Sequence, residues 1–191
     1  MSTPPKPGIM KNVLQKTVSI LICSALALLY TYVKTDKTDK KEVYDRKPKE
    51  VNILKESYSY ASERDKELAE EFKIGFIKEC KKLEKKTPIR VDDSFILKKI
   101  DITDKLITYS YQFEFNKSEI SEEEWKDFIE LSKKEIKREM LSNAKESLPK
   151  VKISLSRILE LADIGLEYIY NDINGSIVGT IHLDYMDFYG M

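Results

Sequence analysis

From Thr17 to Val33 the chain carries no charged residue: seventeen positions, apolar apart from Ser, Thr and Tyr, with Lys16 and Lys34 at the two ends. As a helix this run spans about 25 Å, slightly less than the roughly 30 Å hydrocarbon core of a bilayer. Terminal lysines can snorkel to close that gap, and Tyr30 and Tyr32 suit the interface. A buried helix of a water-soluble domain would need an apolar partner nearby. The next segment is instead KTDKTDKKEVYDRKPKE, almost devoid of apolar residues. The expectation is a single-pass anchor that lodges residues 17–33 in a lipid bilayer. A tail (1–16) precedes it, and a polar linker (34–56) leads to a soluble domain (57–191).

Two other readings use the same run. Ala25-Leu26-Ala27 fits a signal-peptidase site, but apolar residues continue to Val33, beyond the cut. A lipoprotein signal ending at Cys23 would want a small residue where Ile22 stands. The retained anchor accounts best for the whole run.

Sidedness is contested by two signals. Counting only Lys and Arg, the linker carries Lys34, Lys37, Lys40, Lys41, Arg46, Lys47 and Lys49, against Lys6, Lys11 and Lys16 before the anchor. The positive-inside rule then keeps the domain in the cytoplasm. A short basic tail before an apolar run is, however, the usual form of a signal anchor that exports the domain C-terminal to it. The reading taken is a bacterial inner-membrane protein with its C-terminal domain periplasmic or extracellular, the cytoplasmic orientation being the alternative.

The domain itself alternates between helical and strand periods. Leu68, Phe72, Phe76, Cys80 and Leu83 form one stripe, predicting a helix from about Ser57 to Lys86 that Pro88 stops. A hairpin comes next, from Phe95–Thr103 through Asp104-Lys105 into a strand where Ile107, Tyr109, Tyr111, Phe113 and Phe115 alternate with polar residues. Such period-two order marks one buried and one wet face. Ser121 and Glu124 form a capping box that opens a second long helix, with Trp125, Phe128, Ile129, Ile136, Met140 and Ala144 on its inner side. A short helix over Ser154–Ile164 carries Leu155, Ile158, Leu159 and Ala162 and is expected to end at Gly165. A second hairpin turns at Asn171–Gly175, with Leu166, Tyr168 and Tyr170 facing one way and Ile177, Ile181, Leu183 and Tyr185 matching them. Because neither hairpin is stable alone, they are expected to join in one antiparallel sheet of about four strands. Helices would cover its aromatic face, giving a two-layer α+β domain.

Residues that could carry chemistry are few. The chain holds 33 basic and 33 acidic residues, and that balance argues against a nucleic-acid partner, which draws on a surplus of Lys and Arg. It has one histidine, His182, and six glycines, so neither a histidine-based metal site nor a glycine-rich phosphate loop can be built by any familiar pattern. Cys80 reads as a core residue, without an activating partner in sequence. Asp92-Asp93 would point to opposite faces of a strand, and Glu122–Glu124 are accounted for by the helix start. Asp184 and Asp187 remain a candidate carboxylate pair. Asn171, Asp172 and Asn174 suggest a turn more than a calcium loop, lacking its full register and terminal Glu. No catalytic group, metal, cofactor or small-molecule ligand is indicated. If the aromatic face is buried, the other sheet face presents Thr108, Ser110, Gln112, Glu114, Thr180 and His182, which is either simply wet or a docking surface for a protein partner.

The segments Val91-Asp92, Leu106 to Phe113, and Leu166 to Asp172 with Gly175 and Ile181 carry a resemblance over about half the chain. In their order and spacing they resemble a loose group of small bacterial envelope proteins with a C-terminal α+β domain. Members often carry a cysteine after the second helix and another at the C-terminus. This chain has neither, so the resemblance brings no disulfide here. It implies a fold and an envelope setting, and no catalytic residue. The functional expectation is a non-catalytic, membrane-tethered binding or accessory module of the inhibitor, immunity or adaptor type. The alternatives are a self-associating component of a membrane machine or phage-derived exclusion system and, after it, an enzyme that uses carboxylates.

Overall fold

A computed structural model describes residues 61–92, 95–147 and 153–190. The tail, the expected anchor and the linker lie outside the described residues. Among the described residues, no helix is long and apolar enough to cross a membrane.

The first helix, α1 (Glu63–Glu84), starts later than the expected boundary near Ser57. Ser62 and Asp65 exchange hydrogen bonds, Asp65 N–H donating to Ser62 Oγ (3.1 Å) and Ser62 N–H to Asp65 Oδ2 (3.2 Å). This capping box satisfies two end donors and fixes the boundary there rather than at Ser57. Phe76 and Cys80 of the stripe are buried, while Leu68, Phe72 and Leu83 pack half-buried against the core.

Five strands form one sheet: β1 (Ile89–Asp92), β2 (Phe95–Ile102), β3 (Leu106–Phe113), β4 (Gly165–Asn171) and β5 (Ile177–Leu183). They lie in sequence order across the sheet. The expected four-stranded antiparallel sheet is corrected on two counts. A fifth strand, β1, pairs with β2, and β3 runs parallel to β4, so the sheet is mixed. The second difference comes from the connection. Between β3 and β4 lie α2 (Glu122–Ser147) and α3 (Leu155–Ala162). The 26 residues of α2 span about 39 Å, long enough to return the chain along the whole sheet. The next strand then starts beside Leu106, where β3 starts, and runs the same way.

Local signals set the helix ends. Ser121 Oγ accepts from Glu124 N–H (3.2 Å) and Ser121 N–H donates to Glu124 Oε2 (3.0 Å), the capping box expected for α2. Ser154 caps α3 by accepting from Arg157 N–H (3.2 Å). The left-handed residue ending α3 is Asp163 (φ 49°), not Gly165, which is already in β4. Asp tolerates this region better than most side chains, and Asp163 is further held by Lys105 at 2.6 Å.

The described helices α1, α2 and α3 lie on one face of the sheet. Ile107, Tyr109, Tyr111 and Phe113 of β3 and Leu166, Tyr168 and Tyr170 of β4 are buried beneath them. Parallel pairing places Tyr109 beside Tyr168 and Tyr111 beside Tyr170. Their rings stack at 5.2 and 5.6 Å between centroids, contacts worth about 0.5–1.5 kcal/mol each beyond area burial. Phe128 of α2 meets Tyr170 and Phe113 edge-on at 5.3 and 5.4 Å. Ile181 and Leu183 of β5 complete this face, but the expected alternation fails at both ends of the strand. The register shifts between Tyr170 and Asn171, leaving Ile177 59% exposed, and Tyr185 belongs to a 3-10 turn (Tyr185–Phe188) beyond the strand.

Candidate functional site

The second face of the sheet is the one extended surface that no described helix covers. Its residues sit in cross-strand rows set by the ladder. One row reads Asp101, Thr108, Glu167, His182, and the next Lys99, Ser110, Ile169, Thr180. A third brings Arg90, Ile96, Gln112 and Asn171 together. None of these residues is buried, as expected for an antiparallel-edged sheet with one solvated side.

The six residues singled out from sequence therefore lie on a common face, with Glu114 just past the end of β3. Three have structural engagements. Thr108 Oγ1 donates to Glu167 Oε2 at 3.1 Å. Gln112 Nε2 donates to the carbonyl of Ile173 at 2.9 Å and so braces the β4–β5 turn. Glu114 is ion-paired with Arg90 of β1. Ser110, Thr180 and His182 present their side chains without such ties among the described residues, Thr180 and His182 being exposed. Glu167, Ile169 and Asn171 share the face and were not singled out. Extending the alternation of Leu166, Tyr168 and Tyr170 to the residues between them would have found all three.

The other candidates resolve into structural roles. Asp172 is 2% exposed and binds the chain around it. Its Oδ1 accepts from Asn174 N–H (2.9 Å) and Ser176 N–H (2.8 Å), and its Oδ2 from Lys117 N–H (3.2 Å). Burial pushes its pKa up, and the three backbone donors outweigh that, holding the carboxyl below its usual value. Gly175 supplies the positive φ (83°) that the turn requires. Asp184 and Asp187 close a reciprocal cap on the last 3-10 turn, with Met186 N–H donating to Asp184 Oδ1 (2.8 Å) and Asp184 N–H to Asp187 Oδ2 (3.2 Å). Asp187 also pairs with Lys133 at 2.8 Å. Asp92 ends β1, and Asp93 lies outside the described residues. Among the described residues no group of three or more His, Cys, Asp or Glu is placed to hold a metal.

Cys80 is 4% exposed, within the core. Burial pushes its thiol up to about 11, the Tyr109 hydroxyl only partly opposing this. No spacing in the sequence signals that contact. Beside it, burial raises the hydroxyls of Tyr109, Tyr111, Tyr168 and Tyr170 well above the ordinary phenol value. Tyr111 Oη is buried without a hydrogen-bond partner among the described residues. Ser132 Oγ lies near enough to Tyr170 to ease its ionisation slightly, yet not in hydrogen-bond geometry.

The class that these elements define is a two-layer α+β domain, with a mixed five-stranded sheet under three helices. No protein-family model and no curated protein sequence matches this chain. Two solved structures are similar over part of it. One is a protein of Pseudomonas aeruginosa inferred to be secreted, with 10% identity, TM-score 0.35, and 66% of this chain and 98% of that one covered. The other is the pilotin EpsS of the Vibrio vulnificus type 2 secretion system, with 8% identity, TM-score 0.40, and 68% of this chain and 100% of that one covered. Likenesses at this level carry no functional assignment to the present chain.

Proposed function

We propose that this protein is a membrane-tethered, non-catalytic accessory module of the bacterial envelope, binding another protein through the uncovered face of its sheet. The observation that carries the reading is the one-sided layering. The helices bury the centre of one sheet face, while the opposite face gathers Ser110, Thr180 and His182 with the half-buried Ile96 and Ile169. Such a mixture of polar groups and modest apolar area is the composition of non-obligate interfaces. The uncharged run 17–33 and the polar linker after it would hold that face at a bilayer surface.

Affinity capture of the full-length, detergent-extracted protein from its native envelope tests this. A partner retained by the unaltered chain is expected to be lost with Ser110→Arg and with His182→Glu, and kept with Lys134→Ser on the helical side. Absence of any stable partner across several extraction conditions, or a partner indifferent to both face substitutions, overturns the reading. Sidedness is read separately, by fusing after Met191 a reporter active only outside the cytoplasm, with a cytoplasm-only reporter as its reciprocal. Activity outside is expected, and activity only inside places the partner search in the cytoplasm.

A further inference from the structure

The two edges of the sheet are built differently. β1 has only four residues and carries the exposed Arg90, devices that discourage further strand pairing, while its bulge between Arg90 and Asp92 has a counterpart at Val178 in β5. β5 has seven residues, IVGTIHL, with no proline and no Asp, Glu, Lys or Arg. It pairs with β4 alone, and no other backbone hydrogen bond reaches residues 177–183 among the described residues. An edge of this kind offers a row of free N–H and C=O groups to another strand.

Around this edge the exposed apolar side chains gather. Of the seven large hydrophobic residues exposed among the described residues, five flank β5: Ile173 and Ile177 at its start, and Tyr185, Met186 and Tyr189 after its end. They sit at opposite ends of the strand. An incoming parallel strand of the same kind would leave the two groups apart. An antiparallel copy brings the start of one strand against the end of the other, so each group covers its counterpart twice.

We infer that β5 pairs antiparallel with β5 of a second copy of this chain, across a two-fold axis at Thr180, to form a continuous ten-stranded sheet. A two-fold perpendicular to the sheet keeps both helical layers on one side, and directly opposed residues must then share a face. Their numbers therefore sum to an even value. With Thr180 opposite itself, Gly179 meets Ile181 and Val178 meets His182, and the bulge at Val178 ends the regular pairing before Ile177. No pair sets like charges against each other. The contact is isologous, as two-fold dimers require. This pairing stands apart from the accessory role proposed above, because it uses the edge and leaves the uncovered face open in both copies.

The test uses the full-length chain in mild detergent, with Cys23→Ser removing the other thiol outside the core. Thr180→Cys in this background is expected to cross-link to itself on mild oxidation, giving a species of twice 22.3 kDa. Ser110→Cys, on the same face but in the central β3, is expected to stay uncross-linked. Light scattering of the unaltered chain at micromolar concentration should show a dimer after subtraction of the detergent. Thr180→Lys, which sets two ammonium groups against each other across the axis at an exposed position, should weaken that dimer by about tenfold while leaving thermal unfolding of the monomer in place. A monomeric full-length chain overturns the inference. So does a dimer that survives Thr180→Lys, or one that gives no Thr180→Cys cross-link.

Discussion

Cys80 Sγ lies 3.2 Å from Tyr109 Oη, a buried polar contact that joins α1 to the middle of β3. Each atom is the other's means of satisfying hydrogen-bonding capacity away from water. Cys80→Ala removes little volume but orphans a buried hydroxyl, which costs about 1–3 kcal/mol. Tyr109→Phe removes the hydroxyl itself and should cost less. The expected result of a double-mutant cycle is that Cys80→Ala becomes markedly cheaper in the Tyr109→Phe background, read by denaturant unfolding. Equal costs in the two backgrounds would show that the contact contributes nothing beyond packing.

The same cluster sets an alkaline limit on stability. A thiol held at about 11 in the folded chain ionises near 8.5 when unfolded. Its folded value is raised, so its contribution is fully present below the unfolded pKa and is lost as pH rises towards 11. The four buried tyrosines, raised by burial in the same sense, add to the loss once unfolded phenols ionise near 10. Stability is therefore expected to hold to about pH 8.5 and to fall steeply above it. Phenolate absorbance of the core tyrosines should appear together with loss of secondary structure. Phenolate signal from these rings in a chain that remains folded would contradict the burial that produces the shift.

Gly179 is needed for a close approach rather than for backbone freedom. A Cβ at this position would sit 2.4 Å from Ile129 Cδ1 and 2.6 Å from its Cγ1, where α2 presses on the inner face of β5. Gly179→Ala should overpack this contact by about 1–3 kcal/mol. Ile129→Ala on its own opens a gap, but combined with Gly179→Ala it should recover part of the loss. Thermal melts of the two single variants and the double variant check this, and strictly additive losses would place the strain elsewhere.

Much of this architecture is written in local pattern. The alternation from Ile107 to Phe113, the Ser121 capping box and the Asn171–Gly175 turn each need only neighbouring residues to be read, and each holds. The parallel pairing of β3 with β4 does not belong to any local segment. It depends on where a 26-residue helix returns the chain, and either pairing would bury the same tyrosines. β1 escaped because Ile89-Arg90-Val91-Asp92 offers only two apolar residues in four, whereas β2 falls within the expected Phe95–Thr103 segment although Lys98-Lys99 at its bulge interrupts the alternation. The uncovered face was legible from β3 and less so from β4, where the buried tyrosines drew notice away from Glu167, Ile169 and Asn171. Cys80 was placed in the core by its stripe, yet its tie to Tyr109 joins residues 29 positions apart and has no signature in spacing.

Asp172 shows how a turn residue becomes a structural centre. Its carboxylate binds its own turn through Asn174 and Ser176, and it reaches across to Lys117, which lies just after β3. It thereby ties the β4–β5 turn to the exit of β3, where Gln112 already braces the carbonyl of Ile173. Because its folded pKa is depressed, its contribution is present above the unfolded value near 3.9 and is lost as pH falls through the folded one. Asp172→Asn keeps the size but replaces two equivalent acceptor oxygens with one acceptor and one donor, so at least one of the three backbone N–H groups loses its partner. The expected outcome is a lower unfolding midpoint at pH 7, faster amide exchange at Asn174, Ser176 and Lys117, and a weaker acid dependence than in the unaltered chain. If Asp172→Asn leaves exchange at Lys117 unchanged, the link between the two turns is not made through this carboxylate.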